Sequence, residues 1–412
     1  MDLPLNYNQP MMMHIDLNSC FAIIEQQANP LIRHKPVAVA AYDSPGGAVI
    51  ASSYEAKALG IKLGVNVREA RLLCRDVIIM MPDPEKYFDA HKRFKNVLLN
   101  YTDKVTPKSV DEFVIDFSGS IAVQRGKSLV DIGYDIKRDV KEALGEYVTV
   151  NVGIAPNRFL AKLAAGLNKP DGLDVIAGEN LRQTLSRVEL IDLPGINTRY
   201  EARLNANGIY TPLQFLDAPI IKLKKQVFQS VVGFYWYLRL RGWEIDNVDF
   251  ARKSFGQQYA LGEKTRDKEQ LSRLLMKLCE KTGRRLRKAG YVAYGIHLWL
   301  NFENRVFWAQ GKKTHVAIYS TQDIYLHAQR LLNKATIPSR VTNIGVTVFS
   351  LDKVDPVQLG LFDDTRLDSR SLAYASDLIN DKFGEFTLVP ATMANMQDVI
   401  LKRVAWGNIK DL

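Results

Sequence analysis

The sequence predicts an α+β chain of several domains, and three observations carry that prediction. At 412 residues the chain exceeds what a single core supports, and two to four domains are expected. Short apolar runs that alternate with a period of two are interleaved with segments whose apolar residues recur every 3.6 positions, the mixture expected of sheets backed by helices. Basic charge is segregated into one stretch rather than spread over the chain.

The composition, 47% hydrophobic and 24% charged without a low-complexity run, is that of a globular protein. No apolar run approaches the roughly 20 residues that a bilayer requires, and residues 1–13 lack the basic start and long apolar core of a signal peptide, so the expected address is the cytoplasm. Cys20, Cys74 and Cys279 lie far apart with no CxxC spacing, which argues against a disulfide framework or a zinc site. Net charge is +10. Residues 251–350 carry 18 Lys and Arg against 6 Asp and Glu, whereas the rest carries 37 against 39. One segment holds the whole basic excess, the footprint of a nucleic-acid-binding domain; a solvated helix surface is the alternative.

Taken in order, Met12-Met13-His14-Ile15-Asp16-Leu17 reads as an apolar strand ending in a carboxylate, followed by a short helix over 19–27 that Asn29-Pro30 closes. Strands are expected over 35–40 and 48–53, with a turn at 44–47. A short helix over 54–59, ended by Gly60, sets Tyr54 and Lys57 three apart on one face, where both can reach one anion. A strand over 77–81 precedes a helix opened by Pro84 and running to about Tyr101, with Tyr87, Phe94 and Leu98 on its apolar face.

Next comes the stretch Val105 to Phe117, which sets Asp111 and Glu112 side by side at the mouth of an apolar, β-branched run. Neighbours on a regular strand point to opposite faces, so the two carboxylates converge only where the pleat breaks, and Thr106, Pro107 and Ser109 supply turn chemistry just before them. With Asp16 they form an oxygen-rich set that suits Mg²⁺. An ordinary turn pair and a capping Asp are the structural alternatives.

An amphipathic helix follows (Leu129, Ile132, Ile136, Val140, Leu144), then an alternating strand over 148–154, which completes an antiparallel sheet backed by helices on one side. Asn157 caps a helix from Arg158 to Leu167 that carries Lys162 and leads to Asn168-Lys169-Pro170-Asp171-Gly172, read as a domain edge. Residues 174–243 read as helical. Within them, Leu193-Pro194-Gly195-Ile196 and Gly208-Ile209 fit a helix-hairpin-helix whose glycine turn lets backbone N–H groups approach a DNA phosphate. The basic segment alternates helices over 267–289 and 322–335 with strands over 292–302 and 341–349. Residues 352–368 read as an acidic linker and 369–383 as a last helix.

Four motifs, in the right order and spacing, resemble those of the Y-family translesion DNA polymerases, most closely the UmuC-like bacterial subgroup. They are Met13-His14-Ile15-Asp16-Leu17-Asn18-Ser19-Cys20-Phe21, Ser52-Ser53-Tyr54-Glu55-Ala56-Lys57, Ser109-Val110-Asp111-Glu112, and Gly153-Ile154-Ala155-Pro156-Asn157-Arg158-Phe159-Leu160-Ala161-Lys162-Leu163-Ala164. The resemblance implies a right-hand polymerase with a catalytic palm (1–25 and 82–170), small fingers (26–81), a helical thumb with a helix-hairpin-helix (171–245), and an α+β little finger that binds DNA (246–351). A clamp-binding linker and tail would follow (352–412).

Carried over by that resemblance, Asp16, Asp111 and Glu112, with the Leu17 carbonyl, would hold two Mg²⁺ ions. Tyr54, Lys57 and Lys162 would meet the triphosphate, and Phe21 would be the aromatic that leaves no room for a 2′-hydroxyl. Lys57 departs from the arginine of many relatives, so a point charge replaces a bidentate fork. Arg284, Arg285, Arg287 and Lys288 are expected to contact DNA, as is the turn at Gly195. Gln358, Leu359, Leu361 and Phe362 resemble the peptide that docks on a ring-shaped sliding clamp. The implied activity is primer extension past damaged template bases without proofreading, by a monomer whose partners are primer-template DNA, dNTPs and the clamp. The alternatives are a catalytically inactive polymerase-like accessory protein and a two-metal nuclease or cyclase.

Overall fold

The computed structural model describes residues 3–248, 251–354 and 364–394. The chain divides into two compact units near residue 250, each with its own sheet and core.

The first unit opens with β1 (Met12–Leu17) and α1 (Cys20–Ala28), then β2 (Val37–Ala40), β3 (Val49–Ser52), α2 (Tyr54–Ala58), α3 (Val67–Leu73) and β4 (Ile78–Met80). It continues through α4 (Pro84–Leu99), β5 (Val105–Pro107), β6 (Glu112–Asp116), α5 (Ile121–Gln124), α6 (Leu129–Leu144), β7 (Val150–Ala155), α7 (Arg158–Leu167) and β8 (Leu173–Val175). Helix starts follow local chemistry. The Asp83 and Ser128 side chains accept from the backbone N–H of Lys86 and Asp131 and so cap α4 and α6, and Pro84 sits where its missing N–H costs nothing.

The main sheet has the order β5-β6-β1-β7-β8, with β1 at its centre and antiparallel to both neighbours. Met13, Ile15 and Leu17 point into one core with Phe113, Ile115 and the apolar faces of α1, α4 and α6. Met12, Val114 and Ala155 point the other way, into a second core beneath α7. Helices therefore cover both faces, not the one that the sequence suggested. The residue that seats α7 is Gly153 in β7: a Cβ there would lie 2.1 Å from the Ala161 carbonyl oxygen and 2.2 Å from the Ala165 nitrogen. The sheet also runs past the expected edge at 170, because β8 pairs in parallel with β7.

The smaller sheet, β3-β2-β4, carries α2 and α3. Beyond β8 the unit is helical: α8 (Leu181–Leu185), α9 (Thr198–Asn205), α10 (Pro212–Asp217), α11 (Ile220–Lys222) with a π-helical turn at Leu223–Val227, and α12 (Val232–Leu240). Phe215, Phe228 and Trp236 form an aromatic cluster in their core. Residues 3–6 run along this helical part as a strap. The Leu3 N–H donates to the Tyr237 hydroxyl (3.1 Å), the Asn6 N–H and side-chain amide donate to the carbonyls of Arg241 (2.8 Å) and Gly242 (2.9 Å), and the Trp243 indole donates to the Pro4 carbonyl (3.0 Å).

The second unit contains β9 (Ser254–Thr265), α13 (Lys268–Lys288), β10 (Tyr291–Phe302), β11 (Phe307–Ile318), α14 (Thr321–Lys334), β12 (Val341–Lys353) and α15 (Asp364–Phe383). Its sheet has the order β11-β10-β12-β9, antiparallel throughout. Buried Ile296, Leu298, Ile344 and Val346 face α13 and α14, which pack on that side. The last helix begins five residues before the expected 369, within the stretch read as a linker.

Candidate active site

The site is built on β1, where period-two alternation puts His14 and Asp16 on the same face as Met12. Asp16 is the register partner of Glu112 in β6 on one side and of Asn151 in β7 on the other. Asp111 lies just before β6, in the turn where the N–H groups of Lys108 and Ser109 both donate to the Glu112 carbonyl, at 2.8 and 3.3 Å. The pleat is broken there, but the close group of donor atoms at this strand end comprises His14, Asp16 and Glu112, with Asp111 outside it. The Asp111 carbonyl accepts from the Leu17 N–H (2.9 Å), and its carboxylate accepts from the Ser109 hydroxyl.

Two lysines close on these carboxylates. Lys162 of α7 donates to both oxygens of Glu112, each at 2.8 Å, and Lys169, in the loop after α7, donates to Asp16 Oδ2 at 2.8 Å. Lys162 reaches Glu112 because α7 lies so close over Gly153. Burial raises the Asp16 pKa; the charge and bond of Lys169 oppose that rise without overcoming it, and the weaker repulsion of Asp111 and Glu112 adds to it. Burial likewise raises Asp111. For Glu112 burial is outweighed by the bond and charge of Lys162, and its carboxyl sits below the usual range.

His14, quoted above only as part of a motif, belongs to this cluster. One donor atom from each of His14, Asp16 and Glu112 lies within 4.8 Å of the others. Both its ring nitrogens are buried and have no hydrogen-bond partner among the described residues, and Nε2 is 4.0 Å from Glu112 Oε2. Burial, more than any neighbouring charge, lowers its pKa to about 4. Its position two residues before Asp16 was the available signal. Lys169 also belongs to the cluster, although its sequence context, Asn168-Lys169-Pro170-Asp171-Gly172, carries only turn signals.

Tyr54 and Lys57 stand beside the same strand end. The Tyr54 hydroxyl donates to Asn18 Oδ1 (3.2 Å), and Lys57 donates to the Ser19 hydroxyl (2.7 Å) with its ammonium 4.6 Å from the centre of the Tyr54 ring. Burial, then Asp16, pushes the Tyr54 phenol up to about 12; burial, then Lys169, lowers Lys57. Phe21 is buried and stacks on Tyr87 at 4.3 Å and 11°. The Tyr87 hydroxyl donates to Glu25 (2.9 Å), which also takes a 2.6 Å bond from Lys86.

Gly195 has φ +91 in the turn before α9, the backbone conformation that the hairpin reading requires of a glycine. In the second unit, Arg287 forms a paired bond to Asp377 of α15 (2.6 and 2.8 Å), and Arg284 meets Asp381 at 2.7 Å and Glu385 at 3.6 Å. Arg285 donates to the Gly256 carbonyl (3.0 Å), and Lys288 is exposed. Two of the four cations assigned to DNA are thus engaged by acidic residues of α15. Gln358, Leu359, Leu361 and Phe362 lie outside the described residues.

The donor set at β1 brings carboxylate oxygens of Asp16 and Glu112 close together, with an imidazole beside them that has no hydrogen-bond partner among the described residues. Such a set fits a hard divalent cation. Among the described residues no helix is long and apolar enough to cross a membrane.

Comparison with known proteins gives consistent matches. Residues 15–166 match the impB/mucB/samB family and residues 252–361 its C-terminal domain. The chain is 30% identical to the DNA polymerase IV of Pelotomaculum thermopropionicum over 394 residues, 94% of this chain and 96% of that one. It is 32% identical to the DNA polymerase IV of Moorella thermoacetica over 378 residues, 90% and 92% of the two chains. Among solved structures, a Y-family DNA polymerase chimera aligns with a TM-score of 0.73 at 27% identity, over 84% of this chain and 100% of that one. The insertion ternary complex of Dbh DNA polymerase aligns with a TM-score of 0.56 at 26% identity, over 82% and 98%.

Proposed function

The chain belongs to the impB/mucB/samB family, the Y-family translesion DNA polymerases, and from that premise we propose how its site carries out template-directed primer extension. It is a DNA-directed DNA polymerase. In this reading Asp16, Asp111 and Glu112, with the Leu17 carbonyl, hold two Mg²⁺ ions, which when bound supply activation of the primer 3′-hydroxyl and neutralise charge building on the pyrophosphate. The observation that carries the reading is the pairing of Asp16 with Glu112 at one end of the central strand, each neutralised by its own lysine. A lysine that holds a carboxylate in the absence of another cation is placed to turn to phosphate oxygens once that carboxylate is engaged. Lys162 and Lys169 would do so from one side, and Lys57 and Tyr54 from the other. Phe21, clamped by Tyr87, would underlie the sugar and exclude a 2′-hydroxyl.

The second unit, with the basic excess of the chain, would hold primer-template DNA, assisted by the turn at Gly195. We further propose that synthesis proceeds without proofreading in a cytoplasmic monomer recruited by a sliding clamp through residues 358–362; its placement in the UmuC-like subgroup rests on the motifs alone. The test is extension of a labelled primer-template with Mg²⁺ and dNTPs. Extension that ceases on chelation is the expected result. Binding without extension would instead favour an accessory protein, and cleavage a nuclease.

A further inference from the structure

A fully buried amide inside a strand is costly unless its donors and acceptors are used, so where Asn151 directs its bonds is informative. Asn151 sits in β7 directly opposite Asp16, on the face where its strand neighbours are Gly153 and Ala155. Its Nδ2 donates to the Asn168 carbonyl (3.1 Å), and its Oδ1 accepts from the Gly172 N–H (3.3 Å). These bonds tie together the two ends of the loop 168–172. The closure is tight: a Cβ on Gly172 would fall 2.1 Å from the Asn168 carbonyl oxygen. From outside, Lys137 and Lys141 of α6 hold the Asp171 carboxylate at 3.1 and 3.2 Å. Between the two grips the loop presents Lys169, whose ammonium meets Asp16. Lys57 and Tyr54 stand at the same strand end, held by the Ser19 hydroxyl and Asn18 Oδ1.

We propose that Asn151 is a positioning residue for nucleotide binding: by closing the 168–172 loop it fixes Lys169 beside Asp16, where the ammonium meets the polyphosphate of the incoming nucleotide. This rests on the polymerase reading given above. A strand position facing the sheet core would be served equally well by valine if packing were its only task. The amide is required because the loop needs one donor and one acceptor at that spot.

The test is single-nucleotide incorporation with varied dNTP by the full chain carrying Asn151→Ala, Lys169→Ala or both, with primer-template affinity and thermal unfolding measured alongside. Each single variant is expected to raise the dNTP KM about tenfold, the scale of one lost charge-assisted bond, with a smaller change in kcat and no change in DNA affinity. The double variant is expected to be no worse than Lys169→Ala, since both act through one ammonium. An unchanged KM in folded Asn151→Ala beside a raised KM in Lys169→Ala would overturn the proposal alone, as would penalties that multiply in the double variant. An unchanged KM in Lys169→Ala would remove the triphosphate role of that lysine and the proposal with it. If Asn151→Ala does not fold, Gly172→Ala distorts the same loop from its other end; a folded Gly172→Ala with an unchanged dNTP KM overturns the proposal.

Discussion

Lys162 donates to both carboxylate oxygens of Glu112 at the same 2.8 Å, so this acidic residue is held by an ammonium from a different element before any other cation is considered. Removing Glu112 or Asp111 takes away a carboxylate without touching the second unit, where the basic excess lies. Glu112→Ala and Asp111→Ala should each lower nucleotide incorporation by roughly a thousandfold, the scale on which single groups act at developing charge. Primer-template affinity should stay near wild type. Primer extension and fluorescence anisotropy measure the two properties; full activity in either variant would remove the metal assignment.

Phe21 is both a proposed sugar gate and a member of the main core, stacked on Tyr87. Phe21→Ala should raise the ratio of rNTP to dNTP incorporation efficiency, while the cavity it leaves costs about 3–5 kcal/mol of stability. Phe21→Leu keeps most of the volume and should shift the ratio in the same direction with less loss. If neither variant changes the ratio, Phe21 is a packing residue only.

Charge reversal on α13 separates two roles. Arg287 is 4% exposed and paired with Asp377, so Arg287→Glu leaves a buried carboxylate against another and should cost about 3–5 kcal/mol in urea unfolding. Combining it with Asp377→Arg should recover much of that loss. Lys288, by contrast, is exposed, and Lys288→Glu should lower the slope of log K against log salt by about 1 if it meets a phosphate on duplex DNA. An unchanged slope would place the DNA track away from this end of α13.

For the peptide at 358–362, Leu361→Ala combined with Phe362→Ala should abolish clamp binding and clamp-stimulated synthesis, because a few apolar side chains carry most of the energy of such docking. Distributive synthesis on a short primer-template should remain near wild type. Loss of both activities together would mean that these side chains belong to a folded core.

What the sequence made legible follows burial. Helices with full apolar stripes, such as α4, α6, α7 and α13, were expected within a few residues of their observed ends, and the strand ending in Asp16 needed no resemblance to be seen. β9 and β11 carry little periodic signal because each is an edge of the second sheet, and β8 because it is a three-residue edge of the first. An edge strand buries few side chains, and β11 is exposed along most of its length, with Lys312 and Lys313 at its middle. α3 buries only Val67 and Ala70, too little to show a period. Around the end of β1 the carboxylates stand out in the sequence by their chemistry, whereas the placement of His14, Asn151 and Lys169 beside them does not. Their placement comes from β1 having a partner on each side and from a loop that folds back on it, relations that no local pattern records.

The strap formed by residues 3–6 bears on how the protein is handled in the laboratory. Its bonds to Tyr237, Arg241, Gly242 and Trp243 moor the chain only a few residues upstream of the strand that carries Asp16. Removing residues 1–8 would therefore slacken the anchorage of the strand that carries Asp16 and leave the carbonyls of Arg241 and Gly242 seeking solvent. Any change that disturbs residues 3–6 would act on the same tether, so activity compared with the strap intact and altered is the informative control.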